Sequence, residues 1–262
     1  MKTTMMTALL ALAVACGPPA EKTPPSQRVQ DPPAEVPSCT VLKASGPIVV
    51  DGLLNESDWQ QAPTIEFAFP WDDVTAVPAQ STVARMLWDE ENLYIIYECV
   101  DPYLDSEVTE KDGPVYEEDA VEIFVTPNAD DVSAYFGYEM NINGALLDYM
   151  AFKGGEERTE NIHFEWENEG VQIATTHKGT LNDHSDTDEG WILEIAIPMD
   201  NFRHLGGTIP PQDGDLWRLN LNRTKGDKGQ FSMWSDSHTP VADFHRSLYF
   251  GKATFSTKVV GQ

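Results

Sequence analysis

Tyr116, Glu118, Asp119 and Glu122 crowd into one short segment, Tyr-Glu-Glu-Asp-Ala-Val-Glu-Ile-Phe, at residues 116–124. Side chains alternate across a strand, so Val121, Ile123 and Val125 share one face while Tyr116, Glu118, Ala120 and Glu122 share the other. A ring and a carboxylate on one polar face suit a hydroxyl-rich ligand. The ring covers apolar C–H surface and the carboxylate accepts hydroxyl hydrogens. Asp119 falls on the opposite parity and is assigned to structure or to a calcium ion.

Neighbouring carboxylates also raise acid–base catalysis. Glu118 and Glu122 lie four strand positions apart, about 13 Å at roughly 3.3 Å per residue. Glycosidase pairs stand about 5–5.5 Å apart when they retain configuration and up to about 9.5 Å when they invert it. Spacing along this strand therefore argues against hydrolysis. A cross-strand pair, Glu122 with Glu139 or with Glu194, keeps an O-glycosyl hydrolase as an alternative. The six histidines show no His-Glu-x-x-His spacing, and no paired-cysteine zinc spacing is present. No Gly-x-Ser-x-Gly elbow, phosphate loop or dinucleotide fingerprint occurs. Residues 182–189 (Asn-Asp-His-Ser-Asp-Thr-Asp-Glu) have the oxygen density calcium takes but not an ordered spacing, and read as a solvated turn. Asp51, Glu56 and Asp101 read as capping and turn residues.

The elements that must position these groups are strands. Short alternating segments separated by Gly, Pro, Asn and Asp predict strands at 82–88, 93–100, 120–126, 135–142, 146–152 and 162–166. Further ones follow at 171–176, 191–197, 216–223, 231–234 and 249–255. A helical turn is expected over 55–62, capped by Asn55 or Ser57 and anchored by Trp59. The fold class is all-β, an antiparallel β-sandwich of two packed sheets. Glu122, Glu139 with Asn141, Glu194, and Asn220 with Asn222 all stand opposite apolar neighbours. Singly each reads as a solvent-facing residue; their recurrence on successive strands points to a concave polar face lined for a ligand.

The first residues belong to targeting rather than fold. Met1-Lys2 gives a positive start and residues 5–15 are an uncharged apolar run, too short to span a bilayer, which needs about 20 apolar residues. Ala13-Val14-Ala15-Cys16-Gly17 resembles a lipoprotein cleavage site. Residues 1–16 are thus expected to be a signal peptide ending in a lipidated Cys16, the anchor to a cell-envelope membrane, outer or periplasm-facing, that the chain does not span. Ordinary secretion with cleavage near Ala15 is the alternative. Residues 17–37 are rich in Pro and nearly free of large apolar side chains, and are expected to be a disordered tether. Residues 38–258 make the domain and 259–262 a tail. A net charge of −26 repels phosphate backbones and excludes nucleic acid as a partner. With Cys16 lipidated, Cys39 and Cys99 form an even pair in an oxidising compartment. A bridge would close a loop of about 60 residues and contribute roughly 4 kcal/mol; two unpaired thiols are the alternative.

The ordered segments resemble carbohydrate-binding modules of family 9. The likeness runs from Ile48-Val-Val-Asp51-Gly52-x-x-x-Glu56-x-x-Trp59 through Ala84-Arg85-x-x-Trp88-Asp89, Leu93-Tyr94 and Val100-Asp101-Pro102 to the Tyr116–Phe124 segment. It continues in Asn141-x-x-Gly144, Gly190-Trp191-x-x-Glu194-x-x-Ile197-Pro198, Trp217 to Arg223, Met233-Trp234-Ser235 and Tyr249-Phe250-Gly251. The resemblance implies a non-catalytic β-sandwich that clamps a sugar of a polysaccharide or oligosaccharide between two aromatic rings, supporting carbohydrate catabolism. Carried onto this chain, the rings are Tyr116, where Trp is usual, and Trp234; the carboxylate is Glu122 and the amide Asn141. Glu139 stands where xylan-associated members carry a basic residue. That change removes donor capacity toward sugar oxygens and leaves a structural or protein-interaction sandwich as a rival reading. Family members are also reported with bound structural calcium.

Overall fold

Alternation of apolar and polar residues makes strands of most of the segments expected to form them. The computed structural model describes residues 35–72, 74, 79–153, 160–225 and 230–262. The expected leader with Cys16, and the expected tether up to residue 34, lie outside the described residues. Thirteen strands are described: β1 (Ser38–Lys43), β2 (Thr64–Glu66), β3 (Thr82–Trp88), β4 (Asn92–Val100), β5 (Ala120–Thr126), β6 (Ala134–Asn141) and β7 (Leu146–Lys153). The others are β8 (Glu160–His163), β9 (Gln172–Lys178), β10 (Gly190–Pro198), β11 (Leu216–Thr224), β12 (Ser232–Met233) and β13 (Gly251–Val259). One short helix, α1 (Ser57–Gln61), and 3-10 turns at Val115–Glu117, Met199–Leu205 and Ser247–Tyr249 complete the set. No described helix is long and apolar enough to cross a membrane.

The fold is all-β, but the strands do not divide into two separate antiparallel sheets. They form one hydrogen-bonded sheet in the order β8-β7-β6-β5-β11-β13-β1-β3-β4-β10-β9, with β12 on β11 and β2 on β3. The reason is β1, which pairs parallel with both β13 and β3 and so joins two arms into one mixed sheet. The sheet curls into a half-barrel around its main core. Val121, Ile123 and Val125 from one arm share that core with Leu93, Ile95 and Tyr97 from the other. The Tyr97 hydroxyl donates to the Glu122 carbonyl across it at 3.0 Å. An isolated antiparallel bridge between Ala68 and Met233 also ties the described arms. At the far end β13 reaches Val259, and buried Val260 donates to the Lys43 carbonyl, so the expected tail packs into the fold.

Two buried polar clusters fix the loops. Glu194 on β10 accepts the Asp51 and Gly52 amides, each at 2.9 Å, and the Trp59 indole N–H at 2.8 Å. It therefore holds the entry to α1, whose N-cap is Glu56 with no side-chain cap bond, rather than Asn55 or Ser57. Beyond β11, the fully buried Arg223 and Lys225 meet Asp101 and Asp119. Arg223 and Lys225 reach Asp101 at 2.8 and 3.1 Å, and Lys225 reaches Asp119 at 2.8 Å. Burial and the Asp101 charge push Asp119 up to about 6, with Lys225 opposing them. A buried cluster of this kind leaves an uncompensated charge if one member is lost.

Cys39 and Cys99 are unbridged, which corrects the expected disulfide. Strand β3 lies between β1 and β4 in the sheet, and neighbouring strands are about 4.8 Å apart. Two strand spacings alone put the cysteine backbones about 10 Å apart or more, beyond the roughly 7 Å a disulfide can span. Both thiols are pushed up by burial, Cys39 to about 12 and Cys99 to about 11.

Candidate functional site

The strands β5, β6 and β7 turn one face to the main core and the other to a second, aromatic cluster. Phe124, Tyr135, Tyr149, Met233 and Phe250 make that cluster. Above it opens a cavity of about 440 Å³, within the roughly 300–1,000 Å³ range of small-molecule sites. Glu122, Glu139 and Tyr149 line it, with Tyr116, Phe164 and Phe231 and the irregular segment 242–245.

Tyr116 reaches the cavity by a route the strand reading did not foresee. β5 begins at Ala120, and Tyr116 lies in the 3-10 turn Val115–Glu117, pinned by buried Val115. The turn carries the ring to the same side as Glu122 and leaves it 49 % exposed. Glu122 and Glu139 face each other directly in register across β5 and β6, a position that sets Cβ atoms about 4.5–5.5 Å apart. Both are almost fully buried, at 2 % and 4 % exposure. Burial, and then the Glu139 charge, push Glu122 well above the carboxylate range, while the Asn222 amide opposes them. Burial likewise pushes Glu139 up to about 7, against the hydrogen bond from Tyr149. Two adjacent carboxyl groups in so little water cannot both ionise freely, so the pair titrates as a unit and retains a proton near neutrality.

Gly137 makes this arrangement fit. It sits opposite Tyr149 in register, and a Cβ there would stand 2.3 Å from the Tyr149 ring. Without one, the ring lies across β6 and its hydroxyl donates to Glu139 Oε1 at 2.8 Å. Glu139 Oε2 is buried and has no hydrogen-bond partner.

Asn141 and Trp234 are not among the cavity-lining residues. Asn141 is fully buried and donates to the Val108 carbonyl at 2.8 Å and to Glu118 at 2.9 Å, while accepting the Ala145 amide at 3.0 Å. Glu118 in turn accepts the Glu107 and Val108 amides. Both residues brace the 106–109 loop. Trp234 lies against Gly251, where a Cβ would stand 2.4 Å from its ring, and packs partly buried on the main core. One step of strand parity separates it from Met233, which belongs to the aromatic cluster, and a one-residue step reverses the face. Phe231 on the Met233 parity is the ring that lines the cavity. Phe164 and Phe231 fall in the expected strands 162–166 and 231–234 with no cue to a ligand beyond the parity Phe231 shares with Met233, and residues 243–245 have no periodic signal.

Glu194, on the other arm, is committed to Trp59 and the 51–52 turn, so Glu139 is the carboxylate that meets Glu122. Several oxygen-bearing side chains considered for calcium are engaged within the protein. Asp188 spends both oxygens on the Thr180 and Leu104 amides, Asn182 accepts the Ser106 amide, and the Lys225 ammonium lies between Asp101 and Asp119. Among the described residues no group of three or more His, Cys, Asp or Glu side chains is placed to hold a metal ion.

The site is thus a cavity of small-ligand size, lined by rings over paired acids in a curled all-β domain. The chain belongs to the family described as carbohydrate family 9 binding domain-like, whose profile matches residues 50–258. Among curated relatives it is 28 % identical over 158 residues to endo-1,4-beta-xylanase C of Paenibacillus barcinonensis, covering 60 % of this chain and 12 % of that protein. It is 26 % identical over 164 residues to exoglucanase XynX of Acetivibrio thermocellus, covering 63 % and 13 %. The match thus spans about an eighth of the length of these enzymes. A candidate carbohydrate-binding protein of Bacteroides uniformis shares the fold at TM-score 0.63 and 20 % identity, over 85 % of this chain and all of that one. So does a carbohydrate binding module family 9 of Caldicellulosiruptor kristjanssonii in complex with cellotriose, at TM-score 0.56 and 16 % identity over 84 % and 95 % of the two chains.

Proposed function

We propose that the chain is a non-catalytic carbohydrate-binding module held at the cell envelope, with the cavity over Glu122 and Glu139 as its sugar site. One observation carries the reading. Rings from three segments, Tyr116, Phe164 and Phe231, line the same cavity as two buried carboxyl groups. Rings cover the apolar face of a sugar while fixed acceptors read its hydroxyl edge. The aromatic clamp is then built on Tyr116 and Phe231 rather than on Tyr116 and Trp234. Family membership supports the ligand class, and the relative seen with cellotriose makes oligosaccharides of that kind the first probes. Lipid on Cys16 and the Pro-rich tether would present the domain beyond the membrane surface. Labelling with a palmitate analogue, lost in Cys16→Ser, tests that placement.

Calorimetry against a glycan panel tests the site. Micromolar to millimolar sugar binding is expected, abolished by Tyr116→Ala with the fold intact. Absence of binding to every glycan would leave the domain as an interaction scaffold. The in-register pair Glu122–Glu139 also favours a second reading, because side chains from directly paired positions can bring their carboxyl groups to the roughly 5–5.5 Å of retaining glycosidases. Release of reducing sugar from a bound polysaccharide, lost in Glu122→Gln, would make the domain a hydrolase.

A further inference from the structure

We infer that the cavity selects a sugar carrying a free amine, with its ammonium seated between the carboxyl groups of Glu122 and Glu139. The inference rests on the sugar-binding reading above and narrows it to amino sugars. Three features of the site converge on it.

The first is an unmet demand for donors. Glu139 is 4 % exposed and lines the cavity, and its Oε2 has no hydrogen-bond partner. Glu122 receives one amide donor, Asn222 Nδ2 at 3.2 Å. The second is charge. The groups around the pair are Tyr149 from β7, Asn222 and Thr224 from β11, Tyr116 from its 3-10 turn, and Asp243 with His245 beyond β12. Among the described lining residues there is no Lys or Arg. The third is the aromatic wall, whose π faces attract a cation as well as covering a sugar ring.

A sugar hydroxyl brings one hydrogen and no charge. An ammonium brings three donors and a full positive charge, so it can bond both carboxyl groups at once and remove the repulsion between them. N-acetylation cancels the charge and leaves a single N–H. Binding of the ammonium requires the pair to ionise fully, so it releases a proton from it. Affinity for the amine therefore rises with pH as the pair titrates, until the amine loses its own proton.

Titration calorimetry of the purified protein tests this with β-1,4-linked glucosamine oligomers, their N-acetylated counterparts and matched glucose oligomers. Two buffers of different ionisation enthalpy report the proton. The free-amine series is expected to bind about tenfold or more tightly than either uncharged series, with net proton release near neutral pH. Glu139→Gln keeps an acceptor for Tyr149 and should abolish both the preference and the proton release. Equal or tighter binding of either uncharged series overturns the amine inference and leaves sugar binding standing. Retention of the preference in Glu139→Gln overturns the seat assigned here. Failure of all three series to bind overturns the sugar-binding reading itself.

Discussion

Replacing Glu139 by Gln should make the domain more stable, and by an amount that depends on pH. The ordinary Glu value of 4.5 becomes about 7 in the folded protein, chiefly through burial. An acid whose folded value is raised is most favourable where both states are protonated. Its contribution is complete below about pH 4.5 and is lost as pH climbs to about 7, because the unfolded chain ionises first. That interval, at about 1.36 kcal/mol per pH unit, amounts to about 3 kcal/mol. Glutamine has nearly the same shape, carries no charge and offers Tyr149 an amide oxygen. Urea unfolding of wild type and Glu139→Gln, from pH 4.5 to pH 8, should give similar stabilities at the acid end. The variant should gain up to about 3 kcal/mol at the alkaline end. For a domain of this size that is roughly 2–4 °C in Tm per kcal/mol. Parallel pH profiles, or a variant less stable than wild type at pH 8, would refute the buried acid pair.

Gly137→Ala should cost about 1–3 kcal/mol by overpacking against the Tyr149 ring, and should weaken sugar binding by moving the hydroxyl off Glu139; unchanged stability and affinity would contradict that contact. Tyr116→Ala, at an exposed position, should alter stability by less than about 0.5 kcal/mol while removing sugar affinity. Trp234→Ala should do the reverse, losing about 2 kcal/mol or more through packing, with sugar binding measured on the fraction that remains folded. Dithiothreitol should leave the Tm unchanged, and thiol titration in denaturant should count both Cys39 and Cys99; a reductant-dependent Tm would restore the bridge.

Strand positions were legible because alternation survives in most of them. The segments 82–88 and 120–126 match β3 and β5 end to end. β1 is hard to read because its alternation lasts only from Ser38 to Val41 before Leu42 and Lys43 are both part-buried, too short a two-residue period to stand out. Missing β1 hid the parallel pairings, and with them the single curled sheet. At the site, Tyr116, Glu122 and Glu139 were readable as types on a polar face. That Glu122 and Glu139 are direct partners is a matter of register between strands, which a sequence without its turns leaves open. Phe164, Phe231 and His245 arrive on irregular segments, where residue type carries no direction. Asn141 is expected to read a ligand; its amide is engaged with the Val108 carbonyl, Glu118 and the Ala145 amide, partners set by how the 106–109 loop folds over it.

The pairing of β1 with β13 puts the first and last strands in the middle of the sheet rather than at its edges. Apart from the bridge at Ala68, the backbone ladder between the described arms runs through these two strands. Fraying or clipping at one end of the domain therefore opens a seam at its centre. The nine residues of β13 must be in hand before the arms can close, so folding waits on contacts distant in sequence and is slow for its size. For a chain expected to leave the cytoplasm unfolded, that delay favours export over premature closure.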